Sequence, residues 1–118
     1  MIRVTHIPLL LSTLLVSFQA SAVSDEQFEA VRALGDLNGV ALNCKFIDET
    51  RRMKRSLVST VPKLRVIGQA FDESTNDAFL KMIHEQTPCP TERALSQQVD
   101  QAIEQVSHTF AAPTPLLK

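Results

Sequence analysis

Cys44 and Cys89 are the only cysteines of the chain, so a single intramolecular pairing is open to them. In an oxidising compartment two thiols that meet are expected to join. Cys89 sits between Pro88 and Pro90, and proline, with no amide donor and a ring that clashes with the preceding turn, keeps that segment out of any helix interior. One end of the staple therefore belongs to a turn. Closing a loop of this length removes roughly 4 kcal/mol of conformational freedom from the unfolded chain, a large share of a small domain's net stability. A redox-active pair or a soft-metal site would want a C-x-x-C arrangement or flanking histidine and basic residues. Lys45 alone adjoins either thiol, so the pair reads as a structural disulfide.

The N-terminus directs that disulfide to a compartment where it can form. Arg3 and His6 open a short polar start, an apolar run follows from Ile7 to Phe18, and Ala20-Ser21-Ala22 supplies the small residues of a cleavage site. A membrane-spanning helix wants about twenty predominantly apolar residues. This run is shorter, is interrupted by Pro8, Ser12, Thr13 and Ser17, and leads into Ser24-Asp25-Glu26. Residues 1–22 are therefore expected to be a secretory signal peptide removed on export, leaving no transmembrane anchor and a periplasmic or secreted product. Removal takes Arg3 and no acid, so eleven basic residues face thirteen acidic ones, a formal net charge of −2. That balance calls for neither nucleic acid nor an anionic membrane as partner.

Helical periodicity recurs along the rest of the chain, and no segment alternates with period two for long enough to make a strand. Ser24, with Gln27 three residues on, forms a capping-box pattern, and Asp25, Glu26 and Glu29 lie where a helix dipole favours negative charge. Phe28, Val31 and Leu34 continue this first helix as far as Gly35-Asp36-Leu37-Asn38-Gly39, where two glycines and an asparagine weaken it. The composition predicts a kink or break there; the other reading is one long helix whose Gly35 and Gly39 let a neighbour come close. Phe46, Ile47, Thr50, Met53, Leu57 and Val61 share one face of a second helix, closed by Pro62. Leu64, Ile67, Phe71, Ala78 and Met82, flanked by Phe79 and Ile83, mark a third, which Thr87-Pro88-Cys89-Pro90 ends. Thr91 caps a fourth that carries Leu95, Val99, Ala102, Ile103, Val106 and Phe110.

The expected fold is all-α, a small antiparallel bundle of three to four helices stapled by one disulfide and occupying residues 23–110. Residues 111–118, with two prolines, are expected to be a disordered tail. With Cys44 placed near the start of the second helix, the staple would tie that helix to the turn before the fourth.

Chemistry-bearing patterns are missing from the sequence. His84 and His108 fall on different helices, neither with a second histidine at i, i+4. There is no G-x-S-x-G turn, and the only thiols are assigned to the bridge. The C-x-x-C-H haem attachment is absent, and Met53 and Met82, the partners available for a His–Met axial pair, stand at core positions where methionine packs. Asp25-Glu26, Asp48-Glu49 and Asp72-Glu73 are adjacent pairs that diverge on a helix surface. No catalytic residue, metal ligand or cofactor is expected, and the chain reads as a non-enzyme.

Charge is nevertheless polarised. Lys45, Arg51, Arg52, Lys54, Arg55, Lys63 and Arg65 gather seven of the eleven remaining basic residues into 21 positions. The ordinary outcome is a solvated face paired with nearby acids, as Glu49 with Arg52 at i, i+3. The functional outcome is an electrostatic patch for an acidic protein, a headgroup or another polyanion, with Arg51, Arg52, Lys54 and Arg55 as the candidate partner-binding face. Nucleic acid is a poor fit, because its binders interleave stacking aromatics with the charge, and Phe46 is alone in the cluster while Trp and Tyr are absent.

Together these features point to non-enzymatic binding of another protein, as an inhibitor, immunity factor, chaperone or accessory subunit. The alternative is a small-molecule or cofactor carrier using the bundle interior. The layout of signal peptide, short helical domain and one long-range disulfide resembles that of small periplasmic acid-stress chaperones and of helical periplasmic immunity proteins. The resemblance implies a helical fold and leaves the function open.

Overall fold

The computed structural model describes residues 22–111. The expected leader, apart from Ala22, and the expected tail beyond Ala111 lie outside the described residues. Four helices follow one another: α1 (Asp25–Asn43), α2 (Ile47–Thr60), α3 (Arg65–Glu85) and α4 (Glu92–Phe110), with no strand among the described residues. The Ser24 hydroxyl accepts from the Gln27 amide while the Gln27 side chain accepts from the Ser24 amide, satisfying two donors that the first turn of α1 would otherwise leave bare. Thr91 caps α4 through the Ala94 amide. Val61, before Pro62, is extended and ends α2 as the proline requires.

The expected break at Gly35–Gly39 is not there. α1 runs unbroken through both glycines, because the tertiary contact they permit outweighs their cost to the helix. A Cβ on Gly35 would stand 2.6 Å from the Phe71 carbonyl oxygen, and one on Gly39 would stand 2.5 Å from that of Thr75. α3 thus lies backbone to backbone on α1. Asn38, buried in the same seam, donates to the Thr75 hydroxyl, which itself donates to the Phe71 carbonyl. Further along, Asn43 donates to the Met82 sulfur. Contacts advance in the same direction on both helices, so α1 and α3 are parallel, whereas the Gln27 to Thr109 hydrogen bond makes α4 antiparallel to α1.

On its other side α1 meets α2 and α4, which also meet each other, while α3 approaches the backbone of α1 alone. Val31 and Leu34 of α1, Met53 of α2, and Leu95, Val99 and Val106 of α4 are fully buried at this junction. Each contributes roughly 1.5–3 kcal/mol by leaving water. Ile67 and Phe71 extend the same core into α3. Two residues within helices that spacing placed on core faces point outward instead: Ile47 is 47% exposed and Ile83 is 52% exposed. Both lie at the margin of their apolar stripe, where no neighbouring helix covers them.

Cys44 and Cys89 are joined, with Cα atoms 5.7 Å apart. Cys44 is the C-cap of α1 rather than a residue of α2, so the bridge ties the end of α1 to the turn before α4. The sequence hid this because the reversal needs no glycine. Lys45 takes up the left-handed conformation at φ 62°, and the Phe46 and Lys45 amides return to the Ala41 and Leu42 carbonyls. Gln86 does the same for α3 at φ 51°, with Thr87 bonding back to Met82. The two parallel helices therefore stop at the same end of the bundle, and the disulfide clasps that end.

One carboxylate flanks the α1–α3 seam under strain from its surroundings. Partial burial raises the pKa of Asp36 above the ordinary value, Asp77 across the seam raises it further, and Lys81 opposes both. A folded-state pKa above the unfolded one gives a stabilising contribution present at acid pH and lost as pH rises through the folded value. Asp36→Asn is therefore expected to raise the urea midpoint at about pH 7 and to leave it unchanged at about pH 3. An equal gain at both pH values would show that the Asp36 charge is not the cause.

Candidate functional site

α2 positions the basic cluster. Its inner face, Glu49, Thr50, Met53 and Leu57, is buried, which turns Arg51, Lys54 and Arg55 to solvent. Arg51 makes only a loose 3.9 Å pair with Asp48, both side chains being well exposed, a contact of small worth in water. Lys54 and Arg55 have no ion-pair partner within 4 Å among the described residues. Arg52 is different in kind. Its guanidinium donates to Glu49 on its own helix and to Asp100 and Ser96 on α4, clasping the two helices together. Partial burial acts to lower the pKa of Arg52, but the hydrogen bonds to Glu49 and Asp100 prevail and raise it. The structure thus brings Arg51, Lys54 and Arg55 together on an open face and withdraws Arg52 into the scaffold.

Ion pairing of this sort follows from the chain's own spacing for Glu49 and Arg52, three residues apart, whereas Asp100 and Ser96 lie 48 and 44 residues away. Only the fold could reveal the second half of the clasp.

Apolar side chains interrupt the basic face. Val58, one turn beyond Lys54 and Arg55, is 67% exposed, and at the corner between α2 and α3 Leu64 is 42% and Val66 49% exposed. Lys63 and Arg65 alternate with them along the chain. Leu64 is the N-cap of α3 and so stands off the stripe that its spacing from Ile67 suggested. Val58 could have been found from sequence, since it falls outside the face shared by Met53, Leu57 and Val61. Between Val58 and Leu64 lies a groove of about 320 Å³, open to solvent and lined otherwise by Ile67, Gly68 and the neighbouring residues of the corner.

No family model, curated protein or solved structure matches this chain. Function must then be argued from the surface itself. His84 and His108 are exposed and lie in the last turns of α3 and α4, which end at opposite ends of the bundle. Met53 is fully buried, and the Met82 sulfur accepts from Asn43, so neither methionine is free to face them. Both cysteines are in the bridge. Along α2 and its corner with α3 the described residues bring charge and apolar surface together.

Proposed function

We propose that this protein is an exported, non-enzymatic binding protein that engages another protein through the outer face of α2. The observation that carries this reading is the grouping of Arg51, Lys54 and Arg55, exposed and without strong partners, beside the exposed apolar Ile47 and Val58. Cations that the fold leaves without strong partners steer an acidic surface toward them, and apolar side chains beside them add the non-directional term that holds a complex together. A disulfide and the lack, among the described residues, of a helix long and apolar enough to cross a membrane are compatible with an oxidising compartment outside the cytosol. A ligand held in the bundle interior would have to displace Val31, Leu34, Met53, Leu95, Val99 and Val106, which fill it.

The test is recovery of a crosslinked partner from the exporting host with wild-type protein and with the triple variant Arg51→Glu, Lys54→Glu and Arg55→Glu. The substituted side chains are exposed, so the thermal midpoint should hold while recovery falls about tenfold or more. Recovery that ignores the three reversals would remove the α2 face from the account.

A further inference from the structure

The corner groove has a chemistry that specifies its occupant, and we infer that it receives an acidic segment of the partner protein, with an apolar side chain seated between Val58 and Leu64. This rests on the protein-binding reading of α2. Val58, Leu64, Ile67 and Gly68 all line it, and the only charged residues lining it are Lys63 and Arg65. No carboxylate lies among them. Neither Lys63 nor Arg65 has an ion-pair partner within 4 Å among the described residues, and the same is true of Lys54 and Arg55 one turn back on α2. Two unpartnered cations thus line one apolar depression, with two more on the preceding turn of α2, and negative charge for them has to come from outside the groove.

Two features of α3 fit the same occupant. Its first turn carries no acidic residue and its N-cap, Leu64, supplies no side-chain bond, whereas α1 and α4 have both. A carboxylate brought by a partner would meet donors and positive charge there. Gly68 lines the groove as a helical residue with nothing within 4 Å of where a Cβ would be. A side chain of the partner can therefore rest against bare backbone. Concavity favours a protein segment over a flat lipid surface, which would meet Val58 and Val66 as projections and leave the groove empty.

The experiment is selection of a random peptide library on the folded protein, followed by affinity measurement of the selected peptides against variants. Selected peptides are expected to be rich in aspartate and glutamate around a leucine, isoleucine or phenylalanine. Gly68→Leu, which fills the depression from a position with open space, should weaken them about tenfold or more, and Lys63→Glu with Arg65→Glu should do the same. Circular dichroism and thermal melting of Gly68→Leu check that the fold is retained. No enrichment, peptides without acidic residues, or peptides indifferent to Gly68→Leu would overturn the inference. So would binding of phosphatidylglycerol vesicles, lost on Val58→Ser and Val66→Ser, without peptide selection, which would make the corner a lipid contact. If the crosslinked partner is lost on the α2 triple reversal but not on Gly68→Leu, the α2 face stands and the groove falls.

Discussion

Replacing Cys44 and Cys89 together by serine is expected to lower the stability of the protein by about 4 kcal/mol, measured as the shift in urea unfolding of the oxidised wild type against the double variant. The figure follows from the 45-residue separation of the bridged cysteines and the entropy that closing such a loop removes from the unfolded chain. It is expected to be near its full size because the native ends need no other constraint. Cys44 is already fixed by the hydrogen-bonded stop of α1, and Cys89 follows the matching stop of α3 after three residues. The slope of the transition should steepen in the variant, since its unfolded chain is free to expand. A loss below about 1 kcal/mol would mean that the unfolded chain keeps these two regions together without the bond.

Gly39→Ala and Gly68→Ala add the same methyl group to two helices and should have opposite effects. At Gly68 the methyl meets open space, and the backbone there is not left-handed, so the helix gains the usual advantage of alanine, about 1 kcal/mol. At Gly39 it would press on the Thr75 carbonyl oxygen and, at 2.9 Å, the Phe79 amide nitrogen. Backbone cannot rotate aside as a side chain can, so α3 must lift from α1. The expected net loss is about 1–3 kcal/mol despite the gain in helix propensity, and more for Gly39→Val. Chemical unfolding of the two alanine variants reads the contrast directly. A stable Gly39→Ala would imply that α3 slides on α1 at little cost, which the Asn38 to Thr75 hydrogen bond argues against.

The same glycines show where sequence reading succeeds and where it stops. Caps and breakers act on neighbours in the chain, so Ser24 with Gln27, Thr91 and Pro62 announced three helix boundaries that the structure reproduces. Gly35 and Gly39 carry a local penalty that is equally visible, but the compensation lies 36 or more residues away in α3, and nothing local reports it. Lys45 concealed the stop of α1 because it adopts a conformation usually left to glycine, whereas the prolines that follow Gln86 announced the end of α3. In the basic cluster, charge density was plain from composition, whereas the removal of Arg52 into a clasp with α4 depended on the register of α2 against α4. Periodicity likewise assigned Leu64 to the core, since spacing alone does not distinguish the last residue before a helix from the first one within it.

Seen as a covalent object, the oxidised chain is a ring with two arms. The bond between Cys44 and Cys89 encloses all of α2 and α3, while α1 and α4 hang outside the closure. The corner at Pro62–Arg65, exposed along its length, lies within the ring. A protease that cuts after Lys63 or Arg65 opens the circle and releases no piece, so the nicked molecule gains only the water of hydrolysis and stays in one piece until the bond is reduced. Damage at the surface proposed to meet a partner would then leave the rest of the molecule joined through its sulfur atoms.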